Sequence, residues 1–267
     1  MDTQEKVDLR GVMVETLTQA VADNLDVVVV VSDSTSTSKI APFQKQYPDR
    51  VINVGIAEQN LMGVATGLAL GGHIPVTANA APFLVARSNE QVKNDVCYSN
   101  TNVKLAGLNA GVSYGPLGST HHAIDDLSIM LGMGNILVLA PADPVETRAM
   151  FRFALEYQGP VYLRMDNAKF PVLHQSDYQF SLGAVDVLRT GEDITIAAVG
   201  SVVHEAVTAA QELKEAGIEA EVLNISSLRP LQKDGIIASL QKTGHVITVE
   251  EHALHGGVGS LVAGNNC

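Results

Sequence analysis

The segment Val54-Gly55-Ile56-Ala57-Glu58-Gln59-Asn60 holds a strand end, a turn and a helix start in one place. The β-branched run 51–54 ends at a glycine, which allows a tight turn. Beyond it Leu61, Ala65 and Leu68 recur at helical spacing. Glu58 therefore stands in the first turn of a helix made mostly of Ala, Gly, Leu, Val and Met. A carboxylate there has an ordinary explanation, because the helix dipole favours negative charge at its N-terminus. It also has a chemical one. A helix this apolar is expected to be buried, and a buried carboxylate needs a partner or keeps its proton. A glutamate held in that way suits proton exchange.

The same strand–turn–helix alternation extends in both directions. Short aliphatic runs at 27–31, 51–54, 74–78, 103–107, 136–140 and 161–163 read as strands. Helical patterns at 12–24, 57–70, 89–98, 123–131 and 144–157 separate them. Continuous apolar strands between helices mean a parallel sheet covered on both faces and joined by right-handed crossovers. Residues 169–182, with Pro171, Gln175, Ser176, Asp177 and Gln179, show neither period and read as a linker. A second series follows: strand 194–199, helix 203–216 with Gly217 as its cap, strand 220–223, helix 234–243 and strand 246–250. The Gly-rich turn Gly256-Gly257-Val258-Gly259 is expected to open one more helix. The fold class expected is α/β, with two consecutive domains each built on a mainly parallel sheet flanked by helices. Their expected bounds are 1–168 and 183–267, the second reading as incomplete.

Composition narrows the function. A net charge of −12 over 267 residues argues against a nucleic-acid groove and against an anionic membrane surface. It leaves room for a local cationic pocket. Two cysteines, Cys97 and Cys267, without metal-type spacing exclude a disulfide scaffold and point to a reducing cytoplasm. The polar start 1–10 has no apolar signal segment, and the run 27–31 is far too short to span a bilayer.

Taken in order, several segments resemble the transketolase family. Gly55-Ile56-Ala57-Glu58-Gln59-Asn60, preceded by Pro48-Asp49-Arg50-Val51-Ile52-Asn53-Val54, is similar to its pyrimidine-binding domain. Val31-Ser32-Asp33-Ser34, Gly115-Pro116-Leu117-Gly118-Ser119-Thr120-His121-His122, Pro141-Ala142-Asp143, Gly159-Pro160-Val161-Tyr162 and Glu250-Glu251-His252 extend the likeness over nearly the whole chain. The chain most resembles split transketolases, in which this domain and the C-terminal domain form a separate subunit. The resemblance implies thiamine diphosphate as cofactor. It also implies that Glu58 bonds the ring nitrogen opposite the pyrimidine's amino group, favouring the tautomer that accepts the thiazolium proton.

The resemblance assigns further residues. Phe83 matches one member of an aromatic platform under the pyrimidine, while Ala80 stands where another Phe is usual; as plain core, Phe83 needs no such role. His121 matches a histidine facing the substrate's carbonyl and hydroxyls, although a histidine on a Gly-rich loop is also ordinary as a solvated or capping residue. His122 stands where Gln is common. Asp33, just past the all-valine strand, lies at the sheet edge where α/β ligands bind, or else caps the amides of Ser34–Thr37. Arg10 matches the first of two phosphate-gripping arginines and Thr37 stands in for a serine. Asn109 replaces a histidine, Asn167 the second arginine, and Leu117 a carboxylate that reads a donor hydroxyl. Each lost charge-assisted contact is worth about 1.5–3 kcal/mol, which implies an unusual sugar substrate with a shifted anion or none. Lys39, Arg87 and Lys169 are candidates to compensate.

One half of the site is missing. The family holds the diphosphate through Mg or Ca on a Gly-Asp-Gly segment followed by paired Asn, and the sequence contains no Gly-Asp-Gly. Asn265-Asn266 lacks that context. The resemblance therefore implies a diphosphate-binding N-terminal partner subunit that supplies the metal, an α2β2 assembly, and an inactive homodimer when the partner is absent. The reaction implied is transfer of a two-carbon ketol unit from a ketose to an aldose, with sugar or sugar phosphate as substrate. The alternatives are a deoxyxylulose-phosphate-synthase-like subunit, a 2-oxo-acid dehydrogenase beta-like subunit, or a non-catalytic relative.

Overall fold

The computed structural model describes residues 6–264; Asn265, Asn266 and Cys267 lie outside the described residues. Its strands are β1 (Val7–Asp8), β2 (Val27–Val31), β3 (Val51–Asn53), β4 (Ile74–Ala80), β5 (Lys104–Leu108), β6 (Leu137–Leu139), β7 (Val161–Arg164), β8 (Lys169–Phe170), β9 (Asp186–Arg189), β10 (Ile194–Ala198), β11 (Ala220–Asn224), β12 (Ser227–Arg229) and β13 (Val246–Val249). The helices are α1 (Leu9–Ala22), α2 (Ala41–Gln46), α3 (Glu58–Leu70), α4 (Ala81–Ala86), α5 (Asn89–Gln91), α6 (Asp126–Gly132), α7 (Pro144–Glu156), α8 (Val203–Glu215), α9 (Asp234–Thr243) and α10 (Val258–Ala263).

Strands β2 to β7 form one parallel sheet in the order β6-β7-β5-β4-β2-β3. All five valines of β2 are buried, as a strand covered on both faces requires. Side chains of α1, α2 and α7 pack one face, while α3, α4 and α6 pack the other. The expected helix at 89–98 is instead the short α5 followed by a π-helical stretch, Val92–Tyr98. A smaller sheet, β13-β10-β11-β9, is parallel except for β9. The Gly-rich turn does open a helix, α10, and Glu250 accepts hydrogen bonds from its first amides, Val258 and Gly259.

Four strands lie outside the sequence reading: β1, β8, β9 and β12. Lys169–Phe170, within the expected linker, pairs antiparallel with Val7–Asp8. β12, which follows the second sheet's β11 in the chain, joins the first sheet instead, antiparallel to β6. The core follows that crossing: Val138 and Ala140 share one apolar cluster with Leu223, Ile225 and Leu228.

Buried polar groups at Arg164 and His174 tie these pieces together, and Lys104 braces the large sheet. Arg164 Nε lies 2.9 Å from Asp126 Oδ2, which also accepts from the Tyr162 hydroxyl at 2.7 Å. The Arg164 Nη2 reaches the Glu251 carbonyl at 2.8 Å, across to the second domain. Lys104 Nζ donates to Asn102 Oδ1, Tyr157 O and Gly159 O at 2.7, 2.7 and 2.6 Å, and its burial pushes the ammonium down to about 7. His174, from the linker, lies 3.2 Å from Asp143 Oδ1 and 3.5 Å from Asp186 Oδ2. Burial works against its charge. The facing carboxylates of Asp143, Asp186 and Glu146 outweigh that and raise it to about 10.

Candidate functional site

Most of the side chains singled out in the sequence lie on segments that follow a parallel strand of the large sheet, whereas Arg10 follows β1. Gly55 takes φ +72°, the turn that a side chain would oppose, and α3 starts three residues later. Asn53 Oδ1 fixes the approach by accepting from the amides of Asp33 and Gly55. Ser32 Oγ donates to the Gly55 carbonyl and accepts from the Ala57 amide. Glu58 is thus set at the first position of α3, 5 % exposed.

The partner demanded by burial is Arg87. Its Nη1 donates to Glu58 Oε1 at 3.0 Å, and Asn79 Nδ2 reaches the same oxygen at 3.5 Å. The Arg87 guanidinium carbon lies 4.2 Å from the Phe83 ring centre. The His121 ring meets Phe83 edge-on, 5.1 Å between centres, and Tyr114 flanks His121 at 5.5 Å. Glu58, Arg87, Phe83, His121 and Tyr114 therefore make one connected group drawn from α3, α4 and the loop after β5. An open cleft of about 530 Å³ lies beside it, lined by Ile56, Ala57, Glu58, Gln59, Asn60 and Arg87. Helix α3 is not buried throughout, as its composition suggested: Gly63, Gly67 and Leu70 face outward, and Ile56 just before it is 74 % exposed.

A second group forms around Arg10. Its guanidinium bonds both oxygens of Asp8, the Thr37 carbonyl at 3.0 Å and the Asn167 carbonyl at 2.9 Å. Lys39 Nζ lies 2.6 Å from the same Asp8. Burial would raise the Asp8 carboxyl, but hydrogen bonds from Arg10 and Lys39 hold it below its ordinary value. Arg10, Thr37 and Asn167 are brought together, with backbone rather than side-chain oxygens of the latter two as the contacts. Lys39 takes φ +59°, a conformation uncommon for a side-chain-bearing residue. Lys169 is exposed on β8.

The remaining candidates are placed separately. Asn109 follows β5 at φ +58°, is 2 % exposed, and its Oδ1 has no partner within the described residues. His122 Nε2 lies 3.1 Å from the Gly115 carbonyl, so it turns into its own loop. Asp33 takes φ +54° with an exposed side chain, and Leu117 is exposed. The sequence reading missed Asn79 and Tyr114, and named Arg87 only as a candidate cation for the substrate. The signal for Arg87 was chemical: a buried glutamate requires a cation.

An aminopyrimidine fits this geometry. Glu58 offers a buried carboxylate, and the flat N–C–N group of Arg87 joins it to the aromatic face of Phe83. The sequence neighbours agree. Residues 5–171 match the family model of the transketolase pyrimidine binding domain, and residues 183–265 that of the transketolase C-terminal domain. An apulose-4-phosphate transketolase subunit of Actinobacillus succinogenes is 56% identical over 255 residues, covering 96% of this chain and 82% of that protein. A 6-deoxy-6-sulfo-D-fructose transketolase subunit of a Clostridium species is 37% identical, covering 97% of this chain and 81% of its own. A solved structure described as a split gene transketolase, inactive beta4 tetramer, superposes with a TM-score of 0.89 at 38% identity, covering 98% of this chain and 85% of that one. On these matches the chain belongs to the transketolase family, of which it carries the pyrimidine-binding and C-terminal domains.

Proposed function

We propose that this chain is the pyrimidine-binding subunit of a two-chain transketolase that moves a two-carbon ketol unit from a ketose phosphate to an aldose. The observation that carries the reading is Glu58, 5 % exposed at a helix start and joined through Arg87 to the aromatic face of Phe83. Thiamine diphosphate, when bound, supplies the carbanion chemistry. This chain's residues would do the rest. Glu58 would hold or pass a proton at the pyrimidine ring nitrogen, Phe83 would support the ring, and Asp33 would stand at the mouth. His121, braced by Thr120 Oγ1 at 3.0 Å, Phe83 and Tyr114, would face the sugar's carbonyl and hydroxyls.

The name of the 56% identical relative favours a donor of the apulose 4-phosphate kind. The site is compatible with an anion held differently from the usual pattern. Arg10 and Lys39 both already pair with Asp8, so together they would meet a phosphate, with Thr37, Asn109, His122 and Asn167 as further candidates for the sugar. Two cations against one carboxylate leave a local positive charge on an acidic protein, which steers an anionic substrate.

The partner subunit would supply the diphosphate site and its Mg or Ca, in an α2β2 assembly built on a homodimer of this chain. Uncovered Ile56, Leu70 and Tyr98, at 74, 75 and 86 % exposure, support an extensive partner surface near α3. No helix among the described residues is long and apolar enough to cross a membrane. Cys97 is a free, buried thiol, in keeping with a reducing cytoplasm.

Glu58→Gln in the reconstituted pair tests the function. Turnover is expected to fall about 10²–10⁴-fold. An unchanged rate would make this a non-catalytic subunit, and turnover by the purified chain alone would end the half-site reading.

A further inference from the structure

The guanidinium of Arg87 makes the two contacts that an aminopyrimidine would need. It donates to Glu58 Oε1 at 3.0 Å, and its plane-forming carbon stands 4.2 Å from the centre of Phe83. Both groups are flat, delocalised N–C–N units that stack on an aromatic face and present nitrogen to a carboxylate. They cannot share one place. We propose that Arg87 is a plug: in the uncombined subunit it occupies the pyrimidine seat, and it must leave before cofactor enters. The proposal rests on the function proposed above and goes beyond it.

The setting suits a movable plug. Glu58 is fixed in the first turn of α3, but the Arg87 side chain is 50 % exposed and enters from the end of α4. Its retreat leads to solvent, through the cleft lined by Ile56, Gln59 and Asn60. Left without it, Glu58 keeps only Asn79 among the described residues, at a long 3.5 Å. That is a poorly compensated buried carboxylate, open to any planar nitrogen base of the right size. The plug therefore protects the free subunit and taxes cofactor binding by the fraction of chains in which the seat is closed.

The pyrimidine fragment alone tests this, since it needs no partner subunit. The probe is 4-amino-5-hydroxymethyl-2-methylpyrimidine, titrated by calorimetry into the full chain. Arg87→Ala is expected to bind it about tenfold more tightly than wild type. Arg87→Lys, which keeps the charge and loses the plane, should fall between them. Adding Glu58→Gln to Arg87→Ala should abolish the gain, and millimolar guanidinium ion should compete with the fragment in Arg87→Ala only. Equal or weaker binding by Arg87→Ala, with a wild-type melting curve, overturns the plug; if that variant does not fold, Arg87→Lys binding no better than wild type does the same. The plug and the function fail separately. A reconstituted pair that loses turnover on Glu58→Gln while Arg87→Ala gains no affinity keeps the function and loses the plug.

Discussion

A Cβ added at Gly111 would stand 2.5 Å from the Cβ of Glu251, so the loop carrying His121 lies backbone-first against the second domain. Glu251 is fixed in turn by Ser201, whose Oγ donates to its Oε2 at 2.6 Å. Gly111 also takes φ +59°. Gly111→Ala is therefore expected to cost about 1–3 kcal/mol, through both strain and overpacking. A urea titration checks this; wild-type stability would mean that the contact between loop and domain is slack.

The Arg164–Asp126 pair is fully enclosed and serves Tyr162 and the Glu251 carbonyl as well. Arg164→Met leaves Asp126 charged and buried, for an expected loss of about 3–5 kcal/mol. Arg164→Met combined with Asp126→Leu removes the stranded charge and should recover part of that loss. Denaturant midpoints of the single and double variants decide it, and a double variant no better than the single would place the cost elsewhere.

Lys104 and His174 set opposing pH slopes. With Lys104 near 7 in the fold against an ordinary 10.5, the unfolded chain binds the extra proton between those values, so stability rises with pH there. With His174 near 10 against an ordinary 6.5, the folded chain binds the extra proton; that stabilisation is full below about 6.5 and is lost as pH climbs towards 10. Each slope is at most about 1.4 kcal/mol per pH unit. Wild type is thus expected to be nearly flat between pH 7 and 9, above which the Cys97 thiol, raised by burial to about 11, turns the profile down. Lys104→Met should lose stability as pH rises and His174→Gln should gain it, as read from melting temperatures across that range. Profiles parallel to wild type in both variants would contradict the assignment.

Leu70, 75 % exposed at the end of α3, touches little of its own chain. Leu70→Lys should change the melting temperature of the free subunit by no more than a surface substitution does, about 0.5 kcal/mol either way. It should nonetheless weaken assembly with the partner, seen as smaller species by light scattering. Undiminished assembly would remove α3 from the interface.

How much of this was legible depended on whether a feature was local. The strands 27–31 and 161–163 announce themselves because burial on both faces demands unbroken apolar residues. Glu58 at a helix start is equally local, since Gly55 and the spacing of Leu61, Ala65 and Leu68 settle it. Arg87 was visible only as a cation, because its meeting with Glu58 depends on how α4 returns beside α3. β12 was invisible for the same reason: Ser227-Leu228-Arg229 is three residues with one apolar side chain, and its partner lies 88 residues earlier, Ser227 facing Leu139. The exposed side of α3 misled because aliphatic composition reports apolarity and not what covers it.

The placement of β12 has a consequence for the order of synthesis. Strand β6 is complete when residue 139 leaves the ribosome, yet its antiparallel neighbour arrives only with Ser227–Arg229. At roughly 5–20 residues per second the outer edge of β6 waits several seconds with bare backbone donors and acceptors. A chain stopped at the linker keeps that edge permanently. It is expected to collect in the pellet when expressed, and to stay in solution when the following half is supplied on the same chain.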